Sequence, residues 1–283
     1  MKILRDINGI RRVVAGWQAG GRRVVLVPTM GNLHAGHISL MKLARRHGDR
    51  VVASIFVNPT QFGPTEDYAS YPRTPAADTR RLQEAGVDAL FVPSTALMYP
   101  RGERDSTKIS VPGLSNGLCG AFRPGHFDGV ASVVLRLFSV VTPVVAVFGE
   151  KDYQQLIVLR HMAKDLHLPI RIVGGPTVRE RDGLAMSSRN QYLSAREREA
   201  APALFESLRL CRGRLLSGER DFASIQRQAV RLLRRVGFRP DYVEIRNAAD
   251  LSPPTVASRN LRVLAAGHLG RARLIDNIAV RLR

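Results

Sequence analysis

Five short apolar runs punctuate the first 175 residues: Val24–Val27, Val51–Val57, Val87–Val92, Val144–Phe148 and Ile170–Val173. A short run that is largely apolar, rather than strictly alternating, marks a strand covered on both faces. Between the runs, His34 to about His47, Pro75–Ala85, His126 to about Val141 and Asp152–Leu166 carry apolar residues at helical spacing. Strand–helix–strand units close through right-handed crossovers. The pattern therefore predicts an α/β fold, a doubly wound parallel sheet of the nucleotide-binding, Rossmann-like kind. Pro28 is expected to end the first strand and Pro75 to open a helix.

Beyond Gly174-Gly175-Pro176 the pattern changes. Ser194 and Glu197 form a capping-box signature for a helix expected to run to about Ser217. Asp221 is expected to cap a second helix that stops at Gly237. Three strand-like runs follow, Tyr242–Arg246, Leu261–Ala265 and Leu274–Val280. The length of 283 residues accommodates two domains. The expected division is a Rossmann-like nucleotide-binding and catalytic domain over 1–177 and a smaller α+β lid domain over 178–283.

Charge narrows the function classes. The chain has 43 Lys+Arg against 24 Asp+Glu, a formal net charge of +19. Such a balance raises the question of nucleic-acid binding. The basic residues are almost all arginine, however, and scattered, with no block of five and no interleaved aromatics. The expectation is no nucleic-acid partner, an arginine surplus that mostly decorates solvated faces, and a share of the positive charge that attracts an anionic substrate. No run of about 18 apolar residues exists, so a membrane-spanning helix and a membrane partner are not expected. The N-terminus lacks the long apolar core of an export signal. Cys119 and Cys211 supply neither a disulfide framework nor a four-cysteine zinc site, which fits a reducing, cytoplasmic compartment.

The segment Pro28-Thr29-Met30-Gly31-Asn32-Leu33-His34-Ala35-Gly36-His37 sits where a strand gives way to a helix. Open α/β sheets bind ligands at that edge. His34 and His37 share one helix face near its N-terminus. Backbone N–H groups there attract phosphate, and Gly36 admits close approach. Two imidazoles can donate to phosphate oxygens as charge builds in a transition state. A second segment, Gly149-Glu150-Lys151-Asp152, again follows a strand, and Lys151 offers a point charge. A third, Met186-Ser187-Ser188-Arg189, combines two hydroxyls with a guanidinium suited to a triphosphate. Gln61 and Gln155 both donate and accept, which suits a small substrate bearing hydroxyls and a carboxylate.

The first segment resembles the His-x-Gly-His signature of the nucleotidyltransferase superfamily, and Met186–Arg189 a degenerate form of its mobile Lys-Met-Ser-Lys-Ser segment. More specific strings appear in order across the chain: Phe56-Val57-Asn58-Pro59-Thr60-Gln61-Phe62, Tyr71-Pro72-Arg73-Thr74, Arg123-Pro124-Gly125-His126-Phe127, Gly149-Glu150-Lys151-Asp152-Tyr153-Gln154-Gln155 and Arg273-Leu274-Ile275-Asp276-Asn277. Together they resemble the pantothenate synthetase (pantoate–β-alanine ligase) family over essentially the whole length. The family usually has Glu where this chain has Cys119.

That resemblance implies a two-step ligase using ATP, pantoate and β-alanine through a pantoyl-adenylate, with Mg²⁺ accompanying ATP and a homodimer as the assembly. It implies an ATP site formed by Met30, Gly31, Asn32, Leu33, His34, Ala35, Gly36, His37, Gly149, Glu150, Lys151, Asp152, Val178, Met186, Ser187, Ser188 and Arg189. It makes His37, His34 and Lys151 the catalytic groups, Gln61 the holder of pantoate and β-alanine, and Gln155 a pantoate ligand. Two alternatives are another nucleotidyltransferase with a phosphorylated acceptor and a basic nucleic-acid-binding module.

Overall fold

The apolar runs become strands of one parallel sheet. The computed structural model describes residues 1–282. These divide into two units, Met1–Glu150 with Val158–Pro176, and Lys151–Ile157 with Thr177–Arg283. The first contains β1 (Lys2–Leu4), α1 (Ile7–Ala19), β2 (Val24–Thr29), α2 (Ala35–Arg45), β3 (Arg50–Ile55), α3 (Pro75–Glu84) and β4 (Ala89–Phe91). Next come two short helices, α4 (Thr95–Met98) and α5 (Cys119–Phe122), then α6 (His126–Val141) and β5 (Val145–Gly149). α7 (Tyr153–Asp165), whose residues up to Ile157 belong to the second unit, and β6 (Arg171–Gly175) follow.

The strand order is β1-β4-β3-β2-β5-β6, with every pairing parallel. From β2 the chain winds outward through β3 and β4, then returns to β5 on the other side of β2. The order thus reverses between β2 and β5, and at such a reversal a crevice opens beyond the carboxyl ends. Val25, Val27, Val51, Ala53, Val145 and Val147 of these strands share a core with Leu40 and Met41 of α2. Among the described residues, no helix is long and apolar enough to cross a membrane.

Pro28 does not end β2, which continues to Thr29. The Val24 carbonyl accepts from Val144 toward β5, and the Thr29 carbonyl accepts from Phe56 beyond β3. By alternation Pro28 faces the β5 side, where pairing stops at Leu26↔Ala146. No ladder bond is asked of its missing N–H. The sequence pattern does not announce β1 or α1. β1 is three residues long, and α1 fully buries only Ile10 and Val14.

The second unit packs α8 (Ala195–Ala200), α9 (Ala203–Leu216) and α10 (Phe222–Arg235) with an antiparallel sheet, β7 (Arg239–Asn247), β8 (Asn260–Leu269) and β9 (Ala272–Arg281), in that order. Leu204, Leu208, Cys211 and Leu215 of α9 and Ile225, Ala229 and Leu233 of α10 recur at helical spacing. They pack on Val243, Ile245, Val263 and Ala265 of the sheet. Ser194 and Glu197 cap each other as expected: the Ser194 N–H donates to Glu197 Oε2 at 2.8 Å and the Glu197 N–H to Ser194 Oγ at 3.4 Å. The single helix expected from there to Ser217 is instead two. Pro202 has no N–H for the carbonyl of Arg198, and its ring clashes with a continuing turn. Asp221 caps α10 by accepting from Ser224 at 2.9 Å, and Gly237 takes φ +94° just beyond its end.

Candidate active site

The turn from β2 into α2 is left-handed, with Gly31 at φ +83° and Asn32 at φ +48°. A Cβ on Gly31 would stand 3.1 Å from Asp78 Oδ2 and 3.1 Å from Ile55 Cγ2. Asp78, 1% exposed in the first turn of α3, holds this turn. Its carboxylate accepts from the Asn32 N–H at 2.9 Å and the Leu33 N–H at 2.8 Å. Arg81, one turn further along α3, donates to the Leu33 carbonyl. The Leu33 side chain is buried in the sheet core, and its N–H and carbonyl are held by Asp78 and Arg81, so this residue anchors the turn.

His34 caps α2. Its Nδ1 accepts from the Gly36 N–H at 3.2 Å, and His37 Nδ1 accepts from the His34 N–H at 3.3 Å. Two histidines thus make the reciprocal cap that Ser and Glu usually make. Their rings lie 4.1 Å apart, tilted by 40°. Because both Nδ1 atoms accept, the neutral rings carry their protons on Nε2. Ala35 and Gly36 belong to the same first turn, where the helix dipole favours an anion.

Gln61 ends a 3₁₀ turn, Pro59–Gln61, that follows β3. Its Nε2 lies 3.2 Å from Met30 Sδ, so two residues expected in the site from separate motifs meet. Its Oε1 accepts from Asn58 Nδ2 at 3.1 Å, which also reaches the Gly129 carbonyl at 3.2 Å. Asn58 Oδ1 accepts in turn from Tyr99 Oη at 2.6 Å and Thr60 Oγ1 at 3.1 Å. Burial pushes the Tyr99 phenol up, which keeps it a neutral donor here. Gly129 of α6 lets the helix lie against this turn, since a Cβ there would stand 2.6 Å from the Thr60 carbonyl carbon and 2.7 Å from the Gln61 nitrogen. Gly149 and Glu150 extend from β5, beside β2 at the reversal of the strand order.

The remaining expected site residues lie in the second unit. The Lys151 carbonyl accepts from Asn277 Nδ2 at 2.8 Å, and Asn277 Oδ1 accepts from Arg262 Nε at 2.6 Å. The Arg262 guanidinium lies 4.0 Å over the Tyr153 ring, whose hydroxyl donates to the Ala248 carbonyl at 2.9 Å. Beside them Arg179 is bidentate to the buried Asp276, at 2.6 and 2.9 Å. Burial pushes the Asp276 carboxyl up, against the opposing pull of Arg179 and of the Lys151 charge. Val178 and Met186 meet through the Met186 N–H and Val178 carbonyl at 3.0 Å, across a turn with Gly183 at φ +93°. Ser187 Oγ accepts from the Arg189 N–H at 3.3 Å and starts the Ser188–Tyr192 turn. Asp152 and Gln155 are half-buried near the start of α7. Among the described residues, no three His, Cys, Asp or Glu side chains gather as metal ligands.

Residues 2–279 match the sequence profile described as pantoate–β-alanine ligase. The chain belongs to this family. It is a ligase of pantothenate biosynthesis. It is 54% identical over 283 residues to the pantothenate synthetase of Stutzerimonas stutzeri (strain A1501), covering 100% of this chain and 99% of that one. Against the pantothenate synthetase of Azotobacter vinelandii the identity is 54% over 280 residues, covering 99% of each. The crystal structure of pantothenate synthetase from Thermus thermophilus matches with a TM-score of 0.91 and 47% identity, covering 98% of this chain and 99% of that one. A Francisella tularensis pantoate–β-alanine ligase, solved in complex with β-γ ATP and β-alanine, matches at 0.83 and 34%, covering 98% and 97%. The fold is therefore that of the family.

Sequence reasoning leaves Asn58 and Gly129 outside the site except as parts of motifs, Gly129 two residues beyond Phe127 in the Arg123-Pro124-Gly125-His126-Phe127 string, and misses Asp78 and Tyr99. Asp78 reads as an ordinary acidic residue in the first turn of a Pro-led helix, complementing the dipole. Its contacts with Asn32 and Leu33 span 46 and 45 positions, which no local pattern reports.

Proposed function

We propose that this ligase condenses pantoate with β-alanine, converting ATP to AMP and pyrophosphate through a pantoyl-adenylate. In the first step a pantoate carboxylate oxygen attacks the α-phosphorus, and the bond to the departing pyrophosphate breaks. In the second, the β-alanine amine attacks the adenylate's acyl carbon, AMP leaves, and the nitrogen loses a proton. No enzyme-bound covalent intermediate is needed, so the protein's part is positioning and charge stabilisation.

The observation that carries this reading is the mutual cap of His34 and His37 at the strand-order reversal, within a whole-chain family match. With Nδ1 of each ring accepting, a neutral ring carries its proton on Nε2, and in this reading that N–H donates to phosphate oxygens. In this reading His37 serves as proton donor or transition-state stabiliser, with His34 beside it. The main chain from Met30 to His37, with Gly149 and Glu150, receives the nucleotide. Lys151 and Arg189 supply positive charge, Asp152, Val178 and Met186 complete the nucleotide contacts, and Ser187 and Ser188 donate. Gln61 holds pantoate and helps place β-alanine, and Gln155 holds pantoate. Mg²⁺ belongs to the substrate as MgATP, held largely by phosphate oxygens and water.

A lid role for the C-terminal part, a homodimer and a cytoplasmic location belong to the same reading and rest on the family resemblance. The test is an assay with ATP and pantoate, with and without β-alanine, following AMP and pyrophosphate. Steady AMP release that requires both acids is expected. Release supported by a phosphorylated acceptor and indifferent to pantoate would overturn the reading. Light scattering at twice the chain mass checks the assembly.

A further inference from the structure

One polar cluster of the first unit stands outside the reaction as described so far: Glu66, Arg123 and His126. Arg123 is bidentate to Glu66, Nε to Oε1 at 2.7 Å and Nη2 to Oε2 at 2.5 Å, with both side chains largely buried. Burial pushes the Glu66 carboxyl up, but the hydrogen bonds and charge of Arg123 outweigh it and hold the group below the usual carboxylate range. The anchor is therefore a carboxylate at neutral pH.

Arg123 Nη1 lies 3.1 Å from His126 Nε2. A guanidinium only donates, so His126 Nε2 accepts and the ring proton sits on Nδ1. That Nδ1–H donates to the Gln61 carbonyl at 2.8 Å, and Arg123 Nη2 reaches the same oxygen at 3.4 Å. The last carbonyl of a single helical turn has no partner within the turn, and a 3₁₀ turn of three residues has little rigidity of its own. From the other side, Asn58 orients the carboxamide by donating to Gln61 Oε1, which turns Nε2 toward Met30.

We infer that Glu66, Arg123 and His126 form a positioning relay that fixes Gln61 for pantoate. This rests on the pantoate role proposed for Gln61. None of the three is a catalytic residue; each acts through Gln61. Loss of the relay therefore weakens pantoate binding while leaving ATP binding unchanged.

The experiment compares His126→Phe, His126→Asn, Glu66→Gln and Gln61→Ala in the full-length enzyme, measuring kcat, the KM of each substrate and the thermal midpoint. Phe keeps the ring and removes the donor, whereas Asn returns an N–H near the Nδ1 position. Loss of one such buried bond corresponds to a rise of about tenfold in the pantoate KM. His126→Phe is expected to show that rise with the ATP KM unchanged, and His126→Asn to recover most of it. Glu66→Gln keeps the shape and the acceptor, and is expected to raise the pantoate KM several-fold. It also serves as the test if the Phe variant does not fold. If Gln61→Ala raises the pantoate KM while His126→Phe and Glu66→Gln do not, the relay is wrong. It is equally wrong if His126→Asn does no better than Phe. If Gln61→Ala leaves the pantoate KM unchanged, the role given to Gln61 falls, and the relay with it.

Discussion

Replacing Asp78 with Ala removes the acceptor for two backbone donors at once. The Asn32 and Leu33 N–H groups lie 2.9 and 2.8 Å from its two oxygens, in a turn whose residues 31 and 32 both sit at positive φ. Leaving a buried donor unsatisfied costs about 1–3 kcal/mol. The Leu33 bond is buried and the Asn32 bond partly so, giving about 2–5 kcal/mol for the pair. Domains of ordinary stability hold about 5–15 kcal/mol, so the variant should fold but melt early. Asp78→Asn keeps one accepting oxygen and should lose roughly half as much. Activity should fall further than stability alone explains, because this turn places Met30 and His34. A displacement of about 1 Å at such a point costs on the order of 100-fold in rate. Urea unfolding followed by circular dichroism gives the first quantity, and pantoate-dependent AMP release at a temperature where the variant is folded gives the second. An Ala variant within about 1 kcal/mol of the parent and with unchanged AMP release would show that Asp78 does not set the turn.

His37→Glu should leave the α2 cap intact, since Glu is the usual partner at that position, yet weaken ATP binding. Unit charges 5 Å apart at an effective dielectric of 20 repel by roughly 3 kcal/mol, or about 100-fold in affinity. Calorimetric titration with ATP, alongside a thermal melt, separates the two effects, and unimpaired binding would contradict the phosphate role of this helix end. Gly129→Ala should drive a Cβ against the Thr60–Gln61 backbone, costing about 1–3 kcal/mol and raising the pantoate KM; a melt and a KM unchanged from the parent would refute this. Burial pushes the Cys211 thiol from 9.0 up to about 12. The unfolded thiol ionises first, so this contribution to stability is whole below pH 9 and declines toward pH 12 by about 1.4 kcal/mol per unit. Comparing urea midpoints of parent and Cys211→Ala across that range checks the slope; equal slopes would refute it.

What the sequence makes legible is local. The sheet strands after β1 come from short, largely apolar runs, the Ser194–Glu197 box from its spacing, and the α10 cap from Asp221. The errors also have local causes. Pro28 reads as a strand end because its missing N–H is visible in sequence, whereas the side of the sheet it faces is not. Pro202 escapes notice because the apolar spacing on either side of it continues. The long-range polar pairings escape local pattern. Asp78 under the β2–α2 turn is an ordinary letter until the fold places it, and the motifs that contain Asn58 and Asn277 do not say that these residues reach the Gly129 and Lys151 carbonyls. Some of the arginines have the same explanation. Arg81, Arg123, Arg179 and Arg262 each donate to a partner within their own unit.

The chain contains two reciprocal helix caps, and their difference is chemical. At α8 the Ser194–Glu197 pair leaves a carboxylate at the helix start, where it complements the dipole. The same pair at α2 would cap equally well and would place a negative charge where the proposed reading puts the triphosphate. His34 and His37 solve both requirements, because each Nδ1 satisfies a main-chain N–H and neither ring adds negative charge. The cap also selects the tautomer, since a ring accepting at Nδ1 must carry its proton on Nε2. His126 shows the reverse assignment in the same unit, its Nε2 claimed by Arg123 and its proton directed at Gln61. Spacing in the sequence locates the first two histidines, but the partner on each ring nitrogen decides what each can do. In His34 and His37 the Nδ1 partner is the helix itself, so the bonds that start α2 also set the tautomer that the proposed phosphate role requires.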